Sequence, residues 1–288
     1  MRFIGLKGEF LVMVQNYLKV IIRNLLRQRG YSFINILGLA VGMACCLLIL
    51  LYVQDEFSYD TYPQHHDRIY RIITDLSTGE RGDIHSARTP PPWAPVLAAE
   101  FPEIESYVRI KTPLVSWMVT YMPATKKFNE KEFYFADENV FDFFTLKMIR
   151  GDPQTALKEP STVVLSASMA QKYFGNEDPV GKVINIDNTF DFRVTGVMAD
   201  IPRNSHFQAG FFASFITLST VRTADGKILY SPPDYGNNMQ QQFLPDLYTY
   251  IRLSEGYAPE QFEQKLPDFI QKYHGDNLTQ HFNTSMVA

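Results

Sequence analysis

Residues 31–53 read YSFINILGLAVGMACCLLILLYV, 23 positions without Asp, Glu, Lys, Arg, His or Pro. At about 1.5 Å rise per residue, a helix of this length reaches roughly 34 Å, enough to cross a hydrocarbon core of about 30 Å. The run divides the chain into a basic segment 1–30, a span 31–53 and a large segment 54–288. A cleaved signal peptide is the competing reading. Its apolar core is about 7–15 residues and ends at small residues, whereas this run ends at Leu50, Leu51, Tyr52 and Val53.

Charge sets the expected orientation. Arg2, Lys7, Lys19, Arg23, Arg27 and Arg29 stand against Glu9 alone before the run, a net +5 in a chain of formal charge −4. Basic residues resist translocation, so the N-terminus is expected in the cytosol and the bulk outside. Leu18, Ile21, Ile22, Leu25 and Leu26 recur at helical spacing, opposite Asn16, Lys19, Arg23 and Arg27. That pattern predicts an amphipathic helix lying on an anionic inner leaflet, with Lys19, Arg23, Arg27 and Arg29 as anchors to membrane lipid. Gly30 offers a bend into the span. Met13 directly precedes this helix, so residues 1–12 read as an extension and either Met1 or Met13 as the start. Inside the span, Gly38 and Gly42 form a GxxxG, beside a second small pair at Ala40 and Ala44. Such a face lets another membrane helix approach closely.

Both cysteines, Cys45 and Cys46, lie within the span. The exported part therefore has no disulfide, cysteine nucleophile or thiolate metal site. Its scattered Lys and Arg form no basic stripe, which argues against a nucleic-acid partner. Strands are predicted at 68–75, 107–110, 114–121, 132–135, 146–149, 162–165, 183–186, 190–197 and 247–253. Helices are predicted at 93–101, 137–144 and 166–173, the last capped by Ser166 and ended by Gly175. A further helix starts at Pro259, with Pro267 kinking or splitting it. Asp187-Asn188 is a hairpin turn, and 222–240 reads as a loop. Strands and helices follow no strict alternation, so the expected class is α+β.

No catalytic constellation emerges. Residues 175–182 (GNEDPVGK) imitate a phosphate loop, but five residues separate the glycines and Val183 stands where Ser or Thr would hold Mg²⁺. His65 and His66 are adjacent, so their side chains diverge and chelate one ion poorly. No GxSxG occurs. No cofactor or metal is expected, and any enzymatic activity is expected in a separate chain. Phe141, Phe143, Phe144, Phe211, Phe212 and Phe215 read as core. The polar loop 237–242 reads as a contact surface.

Two stretches carry a resemblance. NYLKVIIRNLLRQRGYSFINILGLAVGMACCLLILLYVQDEFSYD (16–60) resembles the first membrane segment of MacB-type, FtsX-like ABC transporter permeases. GDPQTALKEPSTVVLSASMAQKYFGNEDPVGKVINI (151–186), followed by DFRVTGVMADIPRNSHF (191–207), resembles their periplasmic core domain. The resemblance implies a permease of the bacterial inner membrane that pairs as a homo- or heterodimer. A separate cytosolic ATP-binding subunit would power it, and a periplasmic adaptor is a further candidate partner. ATP hydrolysis would drive periplasmic movement for export or mechanotransmission. The group's later membrane helices have no counterpart before Ala288, so an N-terminal fragment or truncated copy is expected. Local chemistry reads the motif residues Gly175, Asp178, Pro179, Gly181, Gly196, Pro202, Asn204, Ser205 and His206 as architectural: turns, a helix end and a close strand. The alternative reading is a single-span periplasmic binding or sensing protein with no ATPase partner.

Overall fold

A computed structural model describes residues 3–77, 83–112, 116–124, 126–220, 247–274 and 282–287. The chain forms two compact units, residues 1–58 and 59–288. The loop 222–240 and the polar loop 237–242 lie outside the described residues.

The first unit is two helices, α1 (Phe3–Arg27) and α2 (Arg29–Phe57). Two expectations are corrected here. The break falls at Gln28 (φ −111°, ψ 55°), and Gly30 lies inside α2. Helical bonding nearly bridges the break, with Gln28 N–H donating to Asn24 O and Ser32 N–H to Gln28 O, both at 3.0 Å. One non-helical residue therefore makes the joint, and no glycine is needed. The first helix also begins at Phe3, not after Met13. Gly5 and Gly8 cost about 1 kcal/mol each there, but good helix formers flank them. α2 outruns the apolar stretch by four residues and ends where Ser58 Oγ donates to Asp55 O at 2.7 Å. It is long and apolar enough to cross a membrane, and none of its residues is buried.

The second unit is α+β, as expected. In chain order its strands are β1 (Ile69–Ser77), β2 (Asp83–Ser86), β3 (Ile104–Lys111), β4 (Trp117–Tyr121), β5 (Lys126–Glu130), β6 (Phe133–Ala136) and β7 (Met148–Arg150). Then come β8 (Thr162–Ser166), β9 (Val183–Ile186), β10 (Phe190–Met198), β11 (Phe211–Ser214), β12 (Tyr248–Leu253) and β13 (Phe282–Val287). The helices are α3 (Trp93–Glu100), α4 (Val140–Phe143), α5 (Ala167–Phe174), α6 (Thr217–Thr220), α7 (Pro259–Glu263) and α8 (Leu266–His274). The strands join in the order β13-β1-β12-β3-β6-β11-β8-β10-β9-β4-β5, with β2 on β1 and β7 on β10. Pairing is antiparallel except for β8 with β10 and β6 with β11.

Three apolar clusters bury this sheet. α3, α7 and α8 place Trp93, Leu97, Phe262 and Phe269 against Ile72, Ile251 and Leu253. α5 presses Tyr173 and Phe174 onto Phe133, Phe192 and Phe211. On the opposite side of the central strands, Phe141, Phe144 and Phe207 pack with Phe212, Val108 and Tyr250. A bulge makes the changeover possible. Glu105 is an extra residue where β3 meets Arg252 and Leu253, so Ile104 joins the α3 side while Val108 joins the opposite one.

Local turn chemistry follows the sequence. Ser166 caps α5 by accepting from Met169 N–H, and Gly175 leaves the helix at φ 62°. Asp187 and Asn188 take φ 51° and 53°, the left-handed pair of a tight hairpin. Pro267 sits at the second position of α8, so the C-terminal helix is split, not kinked.

Gly196 faces the backbone of β7. A Cβ there would lie 2.5 Å from Met148 Cε and 2.8 Å from Arg150 O. Gly196→Ala is expected to cost about 1–3 kcal/mol by overpacking. Denaturant unfolding of the purified chain checks it, and an unchanged midpoint would refute the close fit.

Candidate functional site

The ten residues that follow Ser58 are held down on the second unit. Asp60 takes φ 56°, a left-handed conformation that its short polar side chain tolerates. Its N–H donates to Asn204 O at 2.8 Å. Its Oδ1 accepts from His206 N–H at 2.9 Å and stands 2.9 Å from His206 Nδ1. The other ring nitrogen, Nε2, lies 2.6 Å from Tyr250 Oη in β12. A neutral imidazole satisfies both contacts when Nδ1 carries the proton for Asp60 and Nε2 accepts from the tyrosine. Further along, Gln64 N–H donates to Thr145 Oγ1 at 3.1 Å, and Arg68 bonds Glu105 at 2.9 Å and Leu253 O at 3.1 Å.

The turn carrying His206 is rigid for local reasons. Ser205 N–H donates to Pro202 O at 3.1 Å, and Gln208 Nε2 donates to the same carbonyl at 2.8 Å. The His206 ring stands edge-on to Phe207 at 4.9 Å and tilts over Tyr250 at 5.4 Å. Thus an aromatic anchor of the core aims the imidazole at Asp60.

A cavity of about 120 Å³ opens beneath this clamp, bounded by Asp60, Tyr62, His66, Arg71, His206 and Tyr250. Burial pulls the His206 pKa below its ordinary 6.5, opposed by the bond to Asp60 and assisted by the positive field of Arg71. Burial also raises Tyr250, with Arg71 pulling the other way. The Tyr62 hydroxyl is pushed up to about 12 by burial, a rise that its contact with Ser205 tempers and the Asp60 charge adds to. A wider, more open groove lies between β4 and β9, with Tyr121, Met122 and Lys182 on its walls. Lys182 is already paired with Glu177 there.

Among the residues singled out in the sequence, Asn204, Ser205 and His206 come together at the clamp, with Pro202 as the turn's acceptor. Gly175, Asp178, Pro179 and Gly181 gather elsewhere, at the end of α5. There Asp178 accepts from Val180 N–H at 3.2 Å and pairs with Arg150 at 2.6 Å. Gly181, at φ 85°, donates to Val194 O at 2.8 Å. Gly196 lies in β10. Lys19, Arg23, Arg27, Arg29, Gly38 and Gly42 are exposed in the first unit, and a Cβ on either of these glycines would meet open space. His65 and His66 address different partners, Arg68 and Pro63 O. Asp60, Tyr62, Arg71 and Tyr250 carry no spacing motif that sequence reading could have used. The nearest signal is Tyr62-Pro63, an extended dipeptide just past a helix end.

The profile of MacB-like periplasmic core domains matches residues 32–269. The chain belongs to this family. The family resemblance read from the sequence is thereby borne out. MacB of Aggregatibacter actinomycetemcomitans, a macrolide export ATP-binding/permease protein, is 33% identical over 99 residues, 33% of this chain and 15% of that protein. The chain thus matches only a small part of that relative's length. A domain of a putative permease from Porphyromonas gingivalis superposes with TM-score 0.59 at 21% identity, covering 78% of this chain and 92% of that one. The periplasmic region of MacB from Actinobacillus actinomycetemcomitans superposes with TM-score 0.52 at 19% identity, covering 75% and 87%. These likenesses establish the fold: the mixed sheet of the second unit is a MacB-like periplasmic core, and α2 adds a candidate membrane helix.

The clamp predicts a titration. Because the folded-state pKa of His206 is depressed, its contribution to stability is complete above 6.5 and is lost as pH falls through the folded value. Asp60 is the group that raises this pKa, so Asp60→Ala should lower it further. NMR titration of the His206 ring measures both; a rise in Asp60→Ala contradicts the clamp.

Proposed function

We propose that the chain is the N-terminal part of a permease subunit of an ABC transporter. A separate cytosolic ATP-binding subunit hydrolyses ATP, and the periplasmic unit converts the resulting movement into export or a mechanical signal. α2 crosses the inner membrane with α1 on the cytosolic side, where Lys19, Arg23, Arg27 and Arg29 meet anionic lipid. Gly38 and Gly42 form the packing face for a second permease helix, from a like or unlike partner. A periplasmic adaptor is a further partner of the exported unit. No step of bond chemistry belongs to this chain.

The observation that carries the reading is the Asp60 clamp. A flexible linker after a membrane helix would absorb displacement in its own conformational freedom. Here the backbone of Asp60 and its carboxylate are both tied to the 204–206 turn, and His206 passes the tie to β12. Each half-buried hydrogen bond of this kind is worth about 1 kcal/mol net, more where a charge takes part. The clamped segment at the start of the second unit moves with its sheet as one body, which is what a lever requires.

The test is made in the complete permease with its ATP-binding subunit in vesicles. Asp60→Ala is expected to leave ATP hydrolysis near the wild-type rate and reduce export or signalling output at least about fivefold, the signature of a slack coupling. Unchanged output sinks the lever reading. Gly42→Leu should weaken assembly of the permease pair, seen as loss of co-purification; full assembly counts against that packing face. A reporter active only in the cytosol, fused after Ala288, should stay dark.

A further inference from the structure

The hydroxyl of Tyr250 serves two nitrogen groups at once. Arg71 stands directly across the β1–β12 pairing from Tyr250, so the two side chains share a face of the sheet. The guanidinium donates to the tyrosine oxygen. His206 Nε2 lies 2.6 Å from the same oxygen. An arginine has donors only, so Oη accepts from Arg71 and its own proton is left for Nε2. The bonds therefore run in one direction: Arg71 to Tyr250, Tyr250 to His206, and His206 Nδ1–H to Asp60. Every link is satisfied only while Nε2 carries no proton.

A proton on Nε2 breaks this order. The imidazolium donates from both nitrogens, so Tyr250 would face one donor on Arg71 and another on His206, with no acceptor between them for its own proton. A buried hydroxyl without an acceptor, and two cations at one oxygen, both oppose the contact. The titratable and charged groups that face the imidazole are Asp60, Tyr62 and His66 from the segment after Ser58, Arg71 from β1 and Tyr250 from β12; Phe144, just after α4, is apolar. Asp60 is the one carboxylate among them, and it holds Nδ1, not Nε2. The His206 side chain is 26% exposed, so a charged ring can turn its Nε2 edge toward water while Nδ1 stays on Asp60. We infer that His206 is an acid-operated latch: when its ring takes up a second proton, the tie to Tyr250 and β12 opens while the tie to Asp60 holds.

Opening divides the clamp. Asp60 stays joined to the 204–206 turn through its backbone bond to Asn204 O and through the charged ring, whereas the polar link from that turn to β12 is gone. Burial and the field of Arg71 put the change on the acid side of 6.5, with Asp60 opposing them. The regulatory role rests on the lever reading proposed above: acid slackens the step from Asp60 to the sheet.

The experiment uses the full chain in detergent micelles. NMR follows the His206 ring nitrogens and the Tyr250 ring from about pH 8 to about pH 4, across the ordinary histidine range. Above the midpoint Nδ1 should carry the proton and Nε2 none. The Tyr250 ring signals should shift with the same midpoint as His206, while the Asp60 amide keeps its protection from exchange. Tyr250→Phe decides the matter by sign, and it keeps the ring that packs on Phe144. If protonation opens the contact, the hydroxyl favours only the neutral imidazole. Its loss should then raise the His206 midpoint by about half a pH unit or more, the equivalent of one modest hydrogen bond. If the hydroxyl instead turns round and accepts from the imidazolium, its loss lowers the midpoint. A lowered or unchanged midpoint overturns the latch. In an Arg71→Gln background the tyrosine can give its proton to the glutamine oxygen and accept from His206, so Tyr250→Phe should no longer raise the midpoint; a rise of the same size there overturns the part assigned to Arg71. No ATPase or transport enters these measurements, so their failure and failure of the lever reading are separate results.

Discussion

Both faces of β6, β11 and β8 have to be kept from water, and the layout of the second unit follows from that demand. Phe133, Phe211, Val163 and Leu165 point to one side, and Phe212, Val164 and Ala136 to the other. Strands buried on both faces need cover on both. α5 supplies it on the first side. On the second side no long helix is available among the described residues, and α4 and the segment around Phe207 do the covering, with Phe141 and Phe207 set edge-on to Phe212. Phe207 is next to His206 in the chain. The packing that seals the sheet therefore also places the imidazole between Asp60 and Tyr250.

A second fixed point joins β3 to the turn before α4. Arg109 and Asp137 pair in a two-pronged arrangement, Nε to Oδ2 at 2.9 Å and Nη2 to Oδ1 at 2.7 Å, with the Arg109 backbone N–H also donating to Asp137 at 2.8 Å. The guanidinium lies 4.3 Å from the centre of the Phe215 ring. A buried pair like this adds little net stability, because desolvation offsets the attraction. Its geometry is demanding, though, and it admits one register of β3 against the α4 turn.

Much of this was legible in the residues, and the exceptions have physical causes. The membrane-length run, the Ser166 cap, the Gly175 exit and the Asp187-Asn188 hairpin are local signals, and the structure shows each where the sequence placed it. β11 escaped notice because Phe211–Ser214 is four residues, wholly buried, with no alternation to betray a strand. β5 escaped because LysLysPheAsnGlu is too polar to suggest one. The clamp was half visible. Asn204, Ser205 and His206 stood out as a polar turn, but their partners lie about 145 residues earlier and 45 later, a pairing that only tertiary contact reveals. Gly30 misled as the bend because a permissive residue is an opportunity for a break, not a cause of one.

One end of the described sheet is β5, whose outer edge pairs with no further strand among the described residues. Flat edge strands invite copies of a protein to zip together through their free backbone groups. β5 carries Lys126 and Lys127, and it turns Glu130 inward, where the carboxylate is taken up by Lys172 at 2.7 Å and Tyr173 at 2.6 Å. A second copy pairing along this edge would have to strip hydration from adjacent lysines. A border guarded in this way disfavours fibril-like stacking of one copy on another wherever copies are crowded together.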